Sequence, residues 1–302
     1  MGERDVLAAR LKSAFVSQPQ PKFTAKDLWL GSGMRKGGLS IYSYKGKRIE
    51  PVEILPLPGA DKDDKFDLSK WLPGVGNQLA DECTAAATSP LITFIHCKDL
   101  KSQGKVGVPE RNTFDDDWIY SEGRKLANMP SNKPGLRIGD AMELFRKVGV
   151  KPERAKSSDA DKIANHKIEV YARVNWTKSD EVKIAIKQFG PLPASMWIGA
   201  SWFNSLGYIE EGDWGKLHHS VLVVGWSKEN GKEYWIIRNS WGSKWAQGGY
   251  AYMVPRYLER YTTDCVSIVD IMGSKDLYPA NNWEKWLSKQ PQWFKDAFQI
   301  NF

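Results

Sequence analysis

A thiol, an imidazole and a primary amide, far apart along a chain of 302 residues, are the side chains this sequence offers for nucleophilic chemistry. Cys83 stands in NQLADECTAAAT, at the entrance to an Ala-rich stretch that predicts the first turn of a helix. Unpaired backbone N–H groups and the helix dipole favour a thiolate at such a place. There are only four histidines, and two of them, His218 and His219, are adjacent in KLHHSVLVVGW. Neighbouring side chains of a strand point to opposite faces, so at most one of the pair looks into a given cleft. The third stretch, RNSWGSKW, carries Asn239 and Trp241. Its amide can orient an imidazole and its indole can shield the contact. Thiolate, imidazolium partner and orienting group are the roles a Cys nucleophile needs.

The elements that must position these groups follow from patterning. From Phe66 the chain reads as a loop and then an apolar helical run, DLSKWLPGVGNQLADECTAAATSPLITFIHCKDL. FDDDWIYSEGRKLANM predicts a helix whose N-terminus is capped by Asp115, Asp116 and Asp117; capping is preferred over a triple-Asp metal site. LRIGDAMELFRKVGV predicts an amphipathic helix ending near Gly149. SDEVKIAIKQFGP predicts another, capped by Ser179 and closed by Gly190 and Pro191. After it the chain turns β-rich: PLPASMWI, HSVLVVGWS, KEYWIIRNSW, GGYAYMV and CVSIVDIM, with a hairpin turn at ENGK. Helices first and antiparallel strands later predict an α+β protein. The expected divisions are an N-terminal extension (1–65), a helical lobe carrying the thiol (66–165), a β-rich lobe carrying His and Asn (166–272) and a Trp-rich C-terminal strap (273–302). The extension contains LSIYSYKGKRIEPVEILPLP, which suits a hairpin. In the strap, Trp283, Trp286 and Leu287 share a helical face, and Trp293 and Phe294 follow Pro291.

Composition excludes several classes. The net charge is +7, but Lys and Arg are interspersed with acids and no nucleic-acid-binding pattern appears, so no nucleic-acid partner is expected. No apolar run approaches the roughly 20 residues of a spanning helix. MGERDVLAARLKSAF does not read as a secretory signal; Val6, Leu7, Leu11, Ala14 and Phe15 fall at helical spacing instead. The expected location is the cytoplasm or outside the cell by a signal-independent route. Three cysteines, Cys83, Cys97 and Cys265, argue against a disulfide framework, and Cys265 reads as a core residue of a late strand. No metal site is expected.

Together these strings resemble the papain-like cysteine peptidases. The family's signatures are matched by Gln78 and Cys83, by LHHSVLVVGW and by YWIIRNSWGSKWAQGGY, and the likeness runs from about Phe66 to Met272. The family places its His and Asn about 130–150 residues after the Cys; here His219 follows by 136 and Asn239 by 156. The resemblance implies a two-lobed fold, with a helical lobe, an antiparallel β-barrel-like lobe and the active site in the cleft between them. It implies Cys83 as nucleophile, His219 as base and later acid, Asn239 orienting the imidazole and Gln78 donating to the oxyanion. Trp241 would cover the Asn–His contact, and His218 would face the opposite way, at the rim. The activity implied is peptide hydrolysis through an acyl-enzyme on a peptide or protein substrate, without cofactor. The alternatives are an impaired papain-like peptide-binding protein, or a Cys-His-Asn transglutaminase or deamidase.

The sequence also departs from that pattern. The Gln-to-Cys loop is one residue short. Asp81 and Glu82 replace small residues before the thiol, where they oppose a thiolate and crowd the substrate backbone. Pro90 falls inside the expected helix, where it removes a hydrogen bond and is expected to kink the chain. The family's Gly-rich substrate loop has no counterpart. Residues 1–65 fit either a cap over the cleft or a structural extension, and the Trp-rich tail offers a surface for a partner.

Overall fold

The computed structural model describes residues 40–42, 63–78, 81–102, 114–204, 206–211, 215 and 217–271. The amphipathic pattern at residues 6–15, most of the extension and the Trp-rich strap lie outside the described residues.

Nine strands form one sheet: β1 (Ser40–Tyr42), β2 (Lys65–Asp67), β3 (Ile168–Arg173), β4 (Leu192–Ile198), β5 (Tyr208–Ile209), β6 (Leu217–Glu229), β7 (Lys232–Arg238), β8 (Tyr250–Met253) and β9 (Thr262–Ile271). Their order is β1-β3-β9-β4-β6-β7-β8-β5. The pairings are antiparallel except β5 with β8. The sheet is open: the path ends at β1 and β5 without closing on itself. β2 continues the edge of β6 beyond β4, pairing Phe66 with Trp226 and Asp67 with Gly225. A Cβ at Gly225 would sit 2.0 Å from the Phe66 carbonyl oxygen, so only glycine permits that approach.

The helices are α1 (Cys83–Ser102), α2 (Asp116–Leu126), α3 (Ile138–Lys147), α4 (Ala160–Ala164), α5 (Ser179–Phe189) and α6 (Pro255–Tyr261). Asp115 caps α2 by accepting the Trp118 N–H at 2.8 Å, as the run of acids predicts. α5 begins at Ser179 itself, and Lys178 occupies the cap position, its side chain paired with Glu181 at 2.8 Å and making no capping bond, so Ser179 is not the cap. Gly190 does close that helix, with φ at +108°. α1 continues through Pro90 over 20 residues. The hairpin at ENGK forms, with Asn230 and Gly231 both at positive φ.

Alternation along β6 explains its apolar run. Residues 219–227 are all buried because both faces of the strand are covered. Leu222 and Val224 join Leu91, Ile92, Ile119, Met142 and Phe145 in a core on the side of α1–α3. Val221, Val223 and Trp226 join Trp202, Trp235, Tyr257 and Cys265 in a second core. Cys265 is fully buried there, and burial pushes its thiol well above the ordinary range.

Candidate active site

His219, Asn239, Trp241 and Gln78 come together where β6 meets the segment after β7, and Cys83 opens α1, which packs on β6. His219 is buried on β6, and Asn239 directly follows β7. His219 Nε2 lies 2.8 Å from Asn239 Oδ1. That oxygen also accepts the Ser240 backbone N–H at 2.8 Å. An N–H can be met only by an acceptor, so the amide orientation is set and Nε2 must be the donor. The other ring nitrogen, Nδ1, then carries the lone pair. Asn239 is itself held by its own N–H, which donates to the Gly249 carbonyl at 2.9 Å.

Aromatic rings enclose the imidazole. Trp241 packs with its centroid 4.7 Å from that of His219 and stacks on Phe203 at 4.8 Å. Trp202 meets His219 edge-on at 6.2 Å and stacks against Trp245. Burial in this setting, with a smaller push from His218, lowers the His219 pKa from its ordinary 6.5 to about 4, against the support of the Asn239 bond.

Gln78 is tied to the same loop. Asn77 and Trp241 form a β-bridge, and the Gln78 N–H donates to the Ser240 carbonyl at 2.7 Å. The Ser240 hydroxyl donates to Gln78 Oε1, leaving the amide nitrogen as the donor end of that side chain. Upstream, the buried Arg238 guanidinium donates to the Gly74 carbonyl at 2.8 Å and fixes the approach to Gln78.

Cys83 opens α1, and the first bond of the helix runs from the Ala86 N–H to the Glu82 carbonyl at 2.9 Å. The residue after Cys83, Thr84, meets the residue after His219, with Thr84 Oγ1 3.0 Å from Ser220 Oγ, and the Ser220 N–H and hydroxyl, together with Thr84, favour the thiolate. Burial outweighs them and raises the thiol pKa. Asp81 is exposed and Glu82 half-buried. The Glu82 pKa rises to about 7, first through burial, then through the charges of Asp117 and Asp116 at the start of α2. His218 faces away from His219: it bonds Thr263 Oγ1 at 2.6 Å and meets Trp197 edge-on at 5.0 Å.

Patterning did not single out Trp202, Trp245, Ser240, Thr84, Ser195 or Ser220. The serine of HHSVLVV carried a usable signal, a small polar type opening an apolar strand. Among the described residues no group of three or more His, Cys, Asp and Glu is placed to hold a metal ion, and no helix is long and apolar enough to cross a membrane.

A family model described as papain family cysteine protease matches residues 131–266, a span that includes His219 and Asn239. Cathepsin O of Mus musculus is 37% identical over 234 residues, covering 76% of this chain and 72% of that protein. Cysteine proteinase RD21A of Arabidopsis thaliana is 52% identical over 242 residues, covering 74% of this chain and 48% of that protein. With a cysteine protease of Blomia tropicalis the match, 38% over 89 residues, covers 28% of this chain and 26% of the relative. The matched stretch is likewise only 11% of Arabidopsis RD21B and 24% of human cathepsin O. Among solved structures, xylellain, a cysteine protease from Xylella fastidiosa, superposes with a TM-score of 0.57 at 22% identity, covering 78% of this chain and 98% of that one. Bromelain protease from Ananas comosus, in complex with the E64 inhibitor, gives 0.52 at 20% identity, covering 68% and 98%. The fold is therefore that of solved cysteine proteases, α+β with helices beside an antiparallel-rich sheet. The chain belongs to the papain family of cysteine proteases.

Proposed function

We propose that this protein hydrolyses peptide bonds by acyl transfer, with Cys83 as nucleophile and His219 as its base. The observation that carries this reading is the held imidazole. With Nε2–H committed to Asn239 Oδ1, Nδ1 is the nitrogen able to take a proton, and Thr84, next to Cys83, meets Ser220, next to His219, at 3.0 Å. The thiol proton passes to Nδ1 as sulfur attacks the substrate carbonyl. The oxyanion is met by the Gln78 amide and the Cys83 backbone N–H. His219 then protonates the leaving amine, and the acyl group stays on sulfur as a thioester. Water, deprotonated by the same nitrogen, releases the acid and restores the thiol. Burial drives both the thiol and the imidazole toward their neutral forms, so the two charges are best created together during attack.

On this reading residues 66–165 supply the nucleophile and 166–272 the base. A second reading, a peptide-binding protein with an impaired nucleophile, is favoured by one observation: a half-buried thiol, its pKa raised by desolvation, preceded by two acids, one of them half-buried. An epoxide or vinyl-sulfone warhead decides between them. Labelling is expected at Cys83, abolished by Cys83→Ala and accompanied by new termini in a peptide-library digest. Labelling of wild type no faster than of His219→Ala, with no cleavage, leaves only the binding reading. Ammonia released from protein glutamine without new termini points to deamidation or transglutamination instead.

A further inference from the structure

Behind the Cys83 thiol runs a line of buried hydroxyls that acyl transfer does not call upon. Thr84, Ser195 and Ser220 come from α1, β4 and β6, and each is at most 3% exposed. Thr84 Oγ1 donates to the Leu136 carbonyl at 2.5 Å and lies 3.0 Å from Ser220 Oγ. Ser220 Oγ lies 2.7 Å from Ser195 Oγ. Each hydroxyl has one proton to give. That of Thr84 is committed, because a carbonyl only accepts. The Thr84–Ser220 contact therefore uses the Ser220 proton, and the Ser195–Ser220 contact uses that of Ser195. Donation runs one way, from Ser195 through Ser220 and Thr84 to the Leu136 carbonyl. Ser220 has a second acceptor within the same turn, Cys83: Thr84, which its hydroxyl meets at 3.0 Å, directly follows Cys83, and the Ser220 hydroxyl and N–H are among the groups that favour the Cys83 thiolate.

We propose that Ser220 is a catalytic residue whose hydroxyl proton swings from the Thr84 oxygen to the Cys83 sulfur as the thiolate forms, with Ser195 as its positioning residue. The inference rests on the reading of Cys83 as nucleophile. No covalent bond of Ser220 changes; its proton rotates about the C–O bond and stays on oxygen. An anionic sulfur is the better acceptor. Ser195 keeps donating into the Ser220 oxygen throughout, and Thr84 keeps its bond to Leu136, so the swing leaves no donor without a partner. The device answers a local need. Desolvation opposes an anion at Cys83, and a turning hydroxyl supplies support only when the charge appears.

Alkylation of the full chain by iodoacetamide across pH 5–10, with the modified cysteine identified by peptide mapping, tests this. Ser220→Ala is expected to slow alkylation of Cys83 about tenfold below its inflection, leaving the high-pH plateau unchanged, as one lost hydrogen bond to an anion implies. Ser220→Thr keeps a hydroxyl and is expected to keep the wild-type profile. Ser195→Ala removes only the supporting donor and is expected to slow the reaction about threefold. A packing role alone moves stability and leaves the inflection where it was. Wild-type inflections in folded Ser220→Ala and Ser195→Ala overturn the proposal; if Ser220→Ala does not fold, an unshifted Ser195→Ala overturns it alone. Alkylation of wild type at Cys97 or Cys265 but not at Cys83 removes the nucleophile reading and this one together. Alkylation at Cys83 with unshifted variants removes only the role of the hydroxyl.

Discussion

Around His219 the neighbours are aromatic rings and one amide, whereas around Cys83 they are carboxylates and hydroxyls. The imidazole side resists change by packing: Trp241, Trp202, Phe203 and Trp245 interlock, and Asn239 is held by bonds at both its backbone and its side-chain oxygen. The thiol side is built from groups that carry or move protons: Glu82 beside Asp116 and Asp117, and the hydroxyls of Thr84 and Ser220. A base must present one nitrogen in one orientation, which rigid apolar packing achieves. A nucleophile must change charge, and polar neighbours decide how easily it does so. On the proposed mechanism the two halves of one reaction are thus stabilised by different physics, and they should fail differently when altered.

The largest expected effect lies on the imidazole side. On the proposed mechanism His219→Ala removes the general base, and it is expected to lower kcat/KM for a peptide substrate by about 10²–10⁴-fold. Thermal stability should change little by comparison, because the Trp241–Phe203 and Trp202–Trp245 stacks remain. Steady-state hydrolysis and a melting curve on the same preparation check both halves of this expectation. Activity within threefold of wild type would mean that packing around His219 serves structure alone, and the contrast between the two sides would lose its chemical meaning.

The contrast also explains what could be read in the residues beforehand. The imidazole side was legible because its groups lie in continuous strings on paired strands: LHHSVLVVGW becomes β6, and YWIIRNSW becomes β7 and the turn after it. Period-two alternation predicts that His218 and His219 face opposite ways, as their separate partners Thr263 and Asn239 show, and the match of VLVVGW to the family string selects His219. The core strands, the Asp115 cap and the ENGK turn follow from equally local rules. The thiol side depends on contacts between residues distant in the chain. Nothing in the single letters S195, S220 and T84 brings β4, β6 and α1 together, and nothing near Glu82 indicates that Asp116 and Asp117 will face it. The enclosing pair Trp202 and Trp245 escaped for the same reason. Pro90, where a local rule removes a hydrogen bond, lies inside α1, which runs on through it with Leu91, Ile92 and Phe94 packed in the core.

A middle-sized effect sharpens the thiol side. Glu82 is neutral in the fold below about pH 7 and charged above it, chiefly because burial and then the charges of Asp117 and Asp116 disfavour the carboxylate. A folded pKa raised from the ordinary 4.5 contributes stability below 4.5 that is lost as pH rises through about 7. Above pH 7 the new charge beside Cys83 also opposes the thiolate. Glu82→Gln is therefore expected to alkylate at Cys83 about two- to fivefold faster than wild type above pH 8, with no difference below pH 6. Its denaturation midpoint should also lose the decline between pH 5 and 8. Equal rates at both ends would show that the carboxylate does not reach the sulfur electrostatically.

The smallest effect concerns acid stability on the helical side, away from the thiol. His96 on α1 and His166 after α4 meet edge-on at 5.1 Å, with Phe114 against both. Burial, and then the nearby His96, lowers the His166 pKa from its ordinary 6.5 to about 4; burial alone lowers that of His96. A depressed folded pKa means that these rings contribute stability in full above pH 6.5 and lose it as pH falls toward 4. His166→Phe keeps an aromatic ring at the junction and removes its titration. Allowing for the partial exposure of the ring, the variant should gain about 1 kcal/mol over wild type by pH 5, relative to their difference at pH 7.5. His219 titrates in the same window on the other side and remains in both proteins, so urea melts at the two pH values isolate the His166 share. If the two proteins lose stability in parallel from pH 7.5 to 5, the acid-sensitive element is His219 and its aromatic enclosure, and the helical side is the more robust of the two.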